Sequence, residues 1–143
     1  MAALECARHN ARIYGVHDKI TFFHGDCFEI LGLDDERSGK KINDLVAVIR
    51  KAGIIFASPP WGGTGYKDAE VMDLESMPYG LKQLQGFAQI STNVVLYLPR
   101  NSDVNQIADC VEDGRKSQIV HYCMQQNSKA LCAYLGEWSD IAT

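Results

Sequence analysis

Cysteine is sparse and unpaired in this sequence. The five residues (Cys6, Cys27, Cys110, Cys123, Cys132) are odd in number and form no C-x-x-C pair. A disulfide framework and a zinc site are both disfavoured, and a reducing compartment suits the chain. The four histidines show no ligand-like spacing, so no metal is expected. Long apolar runs are missing: nothing approaches the roughly 20 residues of a membrane-spanning helix, and no membrane partner is expected. The opening MAALECARHNAR has neither the basic start nor the apolar centre of a secretion signal, which points to an intracellular protein. Basic charge is not in excess either. There are 14 Lys and Arg against 18 Asp and Glu, a net charge of -4 and a pI of about 5.5. That excludes a broad non-specific nucleic-acid surface but leaves room for a pocket that holds one nucleotide.

What is present reads as one globular α/β domain of 143 residues, 46% of them apolar. Leu4, Ala7, Ala11 and Tyr14 fall on one face of a helix over residues 2–14, with Gly15 as its C-cap. Ile20 to Phe23 reads as a short strand, and residues 27–31 as a helical turn. Residues 32–43 read as a charged loop, followed by a helix from Asp44 to Lys51. The continuous apolar run Ile54 to Ala57 is expected to be a strand buried on both faces. Pro78 suits the first turn of a helix to Ser91 that turns Leu81, Leu84, Phe87 and Ala88 inward. Asn93 to Leu98 is a second buried strand. Ser102 or Asp103 caps a helix to about Val111, and residues 118–124 and 130–135 read as a hairpin closed by residues 125–129. The alternation of helix and strand predicts a mostly parallel sheet ending in an antiparallel hairpin.

In such sheets ligands bind beyond the carboxyl ends of the strands. Three chemistry-bearing clusters fall at such ends: Gly25-Asp26, Ser58-Pro59-Pro60-Trp61, and Pro99-Arg100-Asn101. The second is the most informative. Prolines fix φ and donate no N–H, so nearby carbonyls are able to face outward and accept from a planar NH2 group. Trp61 supplies a flat apolar surface for a nucleobase. That combination suits methylation of an amino group, a reaction governed by positioning and electrostatics. A plain strand-ending turn, with Trp61 as an anchor beneath the next loop, is the bland reading of the same residues. Asp26 is placed to accept from the exocyclic amine of an adenine while the following N–H, that of Cys27, donates to a ring nitrogen. It is equally placed to N-cap the next helical turn. Arg100 and Asn101 suit phosphate and polar base or ribose contacts, or else a salt bridge and a turn. Tyr66 lies close enough in sequence to edge the pocket, without a signal that decides it.

Together these strings resemble the trimethylguanosine synthases, RNA cap guanine-N2 methyltransferases. The resemblance rests on Ala7-Arg8-His9-Asn10-Ala11 with Tyr14-Gly15, Asp18-Lys19-Ile20, Gly25-Asp26, Ser58 to Gly63, Asn93-Val94-Val95 and Leu98-Pro99-Arg100-Asn101. It implies a Rossmann-like class I methyltransferase sheet and S-adenosyl-L-methionine as cofactor. The implied substrate is the N2 amino group of a 7-methylguanosine RNA cap, carried to 2,2,7-trimethylguanosine. It also implies small nuclear and nucleolar RNAs as partners, and the nucleus as the compartment. By residue, it implies Ser58, Pro59, Pro60 and Trp61 as the catalytic pocket, with Trp61 stacked on the methylated guanine. Trp61, Arg100 and Asn101 would contact the cap, and Asp26, Cys27 and Ser58 the cofactor.

The sequence departs from that pattern in one respect. The family's glycine-rich cofactor loop and the acidic strand end after it find no counterpart here, and Gly62-Gly63-Thr64-Gly65 already belongs to the pocket. Residues 1–143 are therefore expected to be a partial methyltransferase domain whose sheet lacks its first two strands. By itself the chain is expected to bind cofactor poorly and to be inactive. Two alternatives stay open. One is an amino-methyltransferase acting on another base or on glutamine, although Ser58, Trp61 and the Arg100-Asn101 pair favour the cap. The other is a non-catalytic cap-binding fragment.

Overall fold

The computed structural model describes residues 2–31, 51, 53–63, 65–111 and 116–136. The loop expected over residues 32–43 and, apart from Lys51, the helix expected over residues 44–51 lie outside the described residues. The chain divides into two compact units, residues 1–42 and 43–143.

The first unit opens with helix α1, Ala2–Ile13. It ends as the sequence indicates. Gly15 takes φ +66°, its N–H reaches the Arg12 carbonyl, and the Val16 N–H reaches that of Ala11. That pair of bonds is a Schellman cap, which needs a left-handed residue and so favours glycine. The apolar stripe is realised only in part. Ala11 is buried, while Ala7 is exposed and Tyr14 is 80% exposed. The strand expected at Ile20 to Phe23 is not formed. Ile20 is extended (φ -121°, ψ 125°), but residues 20–23 join no ladder, and an extended segment without a partner's hydrogen bonds is not a strand. Helix α2, Cys27–Leu31, follows.

The second unit is built on a mixed four-stranded sheet: β1 Ile55–Ala57, β2 Val94–Pro99, β3 Ser117–Met124 and β4 Asn127–Leu135, in the spatial order β1-β2-β4-β3. Strands β1 and β2 run parallel, joined through helix α3, Leu81–Ile90. The other two pairings are antiparallel, so parallel pairing is the minority among the described strands. The α/β class and the terminal hairpin are as the sequence indicates. Along β2, Val94, Leu96 and Leu98 alternate onto one face, opposite Leu135, Ala133 and Leu131 of β4. All six are at most 2% exposed. Burying a leucine or valine this fully contributes about 1.5–3 kcal/mol, so this face is the core. Helix α3 helps cover it: Ala88 and Ser91 line a small cavity with Val94 and Leu135, and Leu84 and Phe87 are buried with them. Helix α4, Val104–Ala108, buries Ile107 and is capped by Asp103, whose Oδ1 accepts the Asn105 N–H at 2.8 Å.

Other expectations are corrected. Strand β1 is not buried on both faces: Phe56 is 65% exposed and Ile54 also lies open. Among the described strands β1 pairs along one edge only. Helix α3 starts at Leu81 with Gly80 as N-cap, three residues beyond Pro78. Between β1 and helix α3 the chain makes two single 3-10 turns, Gly65–Asp68 and Leu74–Ser76. The hairpin closes through two residues rather than five. Gln125 and Gln126 have φ of 51° and 64°, the left-handed pair of a type I′ turn. Glutamine carries no signal for that conformation, so the loop reads longer in sequence than it is. Among the described residues, no helix is long and apolar enough to cross a membrane.

Candidate active site

The parallel register sets the geometry of the site. Ala57 lies opposite Leu96, so β1 ends while β2 continues through Tyr97, Leu98 and Pro99. Ser58-Pro59-Pro60-Trp61 therefore leaves the sheet beside the last turn of its neighbour. Proline cannot extend the ladder, and the indole takes over where the strand stops: Trp61 Nε1–H donates to the Tyr97 carbonyl at 3.3 Å. Tyr97 also stacks on the Trp61 ring, with centroids 5.6 Å apart and planes 29° from parallel. Tyr66 meets Trp61 nearly at right angles, 85° and 5.3 Å. Each such aromatic pair contributes about 0.5–1.5 kcal/mol beyond area burial. The result is a half-buried aromatic corner at the carboxyl ends of β1 and β2.

Ser58 is exposed and Pro59 half-buried. Among the described residues, neither the Ser58 hydroxyl nor the Pro59 carbonyl makes a hydrogen bond. Both remain acceptors for a ligand. Arg100, one residue past β2, is exposed and spends one donor on the hairpin, Nη1–H to the Ser128 carbonyl at 3.4 Å. His121 Nδ1 lies 3.1 Å from the Ser128 hydroxyl on the same hairpin. Asn101 is engaged differently. Its Nδ2 donates to the carbonyls of Tyr66 (2.7 Å) and Ala69 (2.8 Å). The segment it grips is anchored again downstream by Gln106, which accepts from Leu74 N–H and donates to Asp73 Oδ1, both at 2.7 Å. The Gln106 bond and the Glu75 N–H hold the Asp73 carboxyl below its usual range.

The structure thus brings Ser58 to Trp61 and Arg100-Asn101 together at neighbouring strand ends. It adds three residues that the sequence left undecided or silent: Tyr66, Tyr97 and Gln106. Tyr97 had a signal in hindsight. Period-2 alternation puts it with Val95 and Pro99 on the face opposite the leucines.

Asp26 belongs to the first unit. There its Oδ1 accepts the Phe28 N–H at 2.8 Å and its carbonyl accepts the Ile30 N–H, so the N-cap role is real. A cap uses one carboxylate oxygen. The residue is exposed, and its other oxygen has no partner among the described residues, which fits the adenine edge of a nucleoside cofactor. A Cβ at Gly25 would sit 2.8 Å from Ile30 Cδ1, the mobile tip of that side chain, so packing there asks only for a small shift of Ile30. Partial burial, and then the Asp26 charge, push the Cys27 thiol up. It stays protonated near neutral pH and is no thiolate nucleophile.

An α/β sheet whose parallel strands end in an outward Ser-Pro-Pro-Trp corner defines an amino-group methyltransferase type of site. Comparison with known proteins agrees. Residues 1–138 match the RNA cap guanine-N2 methyltransferase family, and the chain belongs to that family. It is 38% identical over 106 residues to trimethylguanosine synthase of Saccharomyces cerevisiae, covering 72% of this chain and 30% of that protein. It is 32% identical over 139 residues to trimethylguanosine synthase of Schizosaccharomyces pombe, covering 95% of this chain and 54% of that protein. The chain thus spans about half or less of the length of these relatives.

Proposed function

We propose that this chain provides the cap-guanine pocket of an S-adenosylmethionine-dependent RNA cap guanine-N2 methyltransferase. The observation that carries the reading is the corner at the ends of β1 and β2. Two free acceptors, the Ser58 hydroxyl and the Pro59 carbonyl, stand beside an indole fixed by Tyr97. A guanine lying on Trp61 offers its N2 amine to such acceptors. Taking its two hydrogens holds the NH2 group in one plane and leaves the nitrogen lone pair directed out of it. Pro60 fixes the backbone between acceptor and ring. A 7-methylguanine carries positive charge, and the indole adds a cation–π attraction of about 0.5–2 kcal/mol that plain guanine does not receive. The remaining guanidinium donors of Arg100 suit the cap phosphates. When bound, S-adenosylmethionine supplies the methyl group. By resemblance to the family, Asp26 and the Cys27 N–H would serve its adenine, and Ser58 would be a cofactor contact as well. Capped small nuclear and nucleolar RNAs are the proposed substrates, and the nucleus the proposed compartment.

The test is a titration with 7-methylguanosine diphosphate and with guanosine diphosphate, followed by a methyl-transfer assay on a 7-methylguanosine-capped dinucleotide. Selective binding of the methylated nucleotide with methyl transfer supports the reading. Selective binding without transfer would mark a non-catalytic cap binder. Equal or no binding of the two nucleotides sinks the cap pocket.

A further inference from the structure

Asn101 is set up to hold protein, not ligand. Its Nδ2 carries two hydrogens, and each has a backbone carbonyl: Tyr66 at 2.7 Å and Ala69 at 2.8 Å. The amide cannot be turned over, because Oδ1 would then face two carbonyl oxygens. The Asn101 main chain continues the grip. Its carbonyl accepts the Met72 N–H at 2.7 Å, and the Met72 carbonyl accepts the Asp103 N–H at 3.0 Å. Met72 and Ser102 form a parallel bridge at the same place. The one side-chain polar atom left, Oδ1, is buried and has no partner among the described residues. The Asn101 side chain therefore has no free donor to aim at a substrate and no exposed acceptor. The segment it holds begins at Tyr66, whose ring stands nearly perpendicular to that of Trp61 with centroids 5.3 Å apart.

We propose that Asn101 is a positioning residue: it clamps residues 66–72 so that Tyr66 braces the Trp61 ring, and it does not itself touch the cap. The proposal rests on the cap-pocket reading above. Asparagine is the residue this clamp requires. Aspartate would set a negative oxygen against two carbonyls, and leucine would leave both carbonyls without a donor. The cost of losing the clamp should then pass through Tyr66, and double-mutant analysis isolates such coupling.

The experiment uses the whole chain carrying Trp138→Phe, so that Trp61 is the single tryptophan reporter. Asn101→Ala, Asn101→Asp, Tyr66→Ala and Asn101→Ala/Tyr66→Ala are each titrated with 7-methylguanosine diphosphate, after circular dichroism confirms that they fold. Asn101→Ala is expected to weaken binding about tenfold when Tyr66 is present and less than about twofold when it is absent, the scale of losing two net hydrogen bonds. Asn101→Asp, which keeps the shape, should lose as much as alanine. In the free protein, Trp61 fluorescence anisotropy should fall in both Asn101 variants. Equal losses with and without Tyr66 would mean a direct contact and overturn the proposal, as would wild-type binding by Asn101→Asp or unchanged anisotropy. If the parent chain fails to bind the nucleotide while anisotropy still depends on Asn101, the clamp stands and the cap reading falls.

Discussion

Trp61 has two separable functions at its one position. The indole N–H caps the Tyr97 carbonyl, and the ring gives the proposed pocket its flat surface. Trp61→Phe removes the first and keeps most of the second. Trp61→Ala removes both. We expect 7-methylguanosine diphosphate affinity to fall a few-fold in the phenylalanine variant and by about 10- to 100-fold in the alanine variant, the range of base–aromatic stacking. Fluorescence and calorimetric titration would check this. Unchanged affinity in Trp61→Ala would remove the ring from the site. Cys110 offers a residue-scale test of stability. Burial, then the charges of Asp109 and Glu75, push its thiol from 9.0 up to about 12. Between these values the folded chain keeps a proton that the unfolded chain releases, so unfolding becomes easier as pH rises. The contribution is full below the unfolded pKa and lost progressively as pH climbs toward about 12, with a limiting slope of about 1.4 kcal/mol per pH unit. Denaturant melts from pH 8 upward should show the decline, and Cys110→Ala should make it shallower, the raised thiols of Cys27 and Cys132 leaving a remainder.

At the scale of elements, the hairpin is where local sequence and local structure disagree most. Two glutamines adopt left-handed φ at the β3–β4 turn, a conformation that costs a non-glycine residue on the order of 1 kcal/mol or more. Pairing along β4 overrides that preference. Its other edge lies against β2, and Ala130, Leu131 and Ala133 are fully buried. Replacing Gln125-Gln126 by Asn-Gly should raise unfolding free energy by about 1 kcal/mol without altering the pocket. Urea denaturation reads the gain, and a loss of stability would show that the turn is not of this type. The short strand at Ile20 to Phe23 failed for the converse reason. Its residues favour extended backbone, and Ile20 adopts it, but propensity supplies no partner.

For the molecule as a whole, the cap reading makes a linkage prediction. A ligand that binds only the folded chain stabilises it by about 2.7 kcal/mol at 100 times its dissociation constant. 7-Methylguanosine diphosphate at that excess should raise the unfolding free energy from denaturant melts by that amount, guanosine diphosphate by much less, and Trp61→Ala should abolish the difference. Equal shifts with both nucleotides would point to phosphate binding alone.

Much of this was legible in order along the chain. Helix α1 and its Gly15 cap, the buried β2, the Asp103 cap and the α/β class follow from periodicity and capping chemistry. The Ser58 to Trp61 string and the Arg100-Asn101 pair were visible as candidate site residues because prolines, an aromatic and a guanidinium after apolar runs are chemically distinctive. What each does with its partners was not visible. Tyr97 is one apolar residue among six in its strand until the parallel register carries β2 past the end of β1 and sets the tyrosine under Trp61. Asn101 reads as a ligand contact until the fold brings the carbonyls of Tyr66 and Ala69, more than thirty residues away, within reach of its amide. Sequence alone determined the chemical groups that follow the apolar runs ending at Ala57 and Leu98, because that depends on short-range pattern. Tertiary structure alone decided which of them are spent on the protein and which stay open to a ligand, because hydrogen bonds between distant segments exist only after the strands have paired.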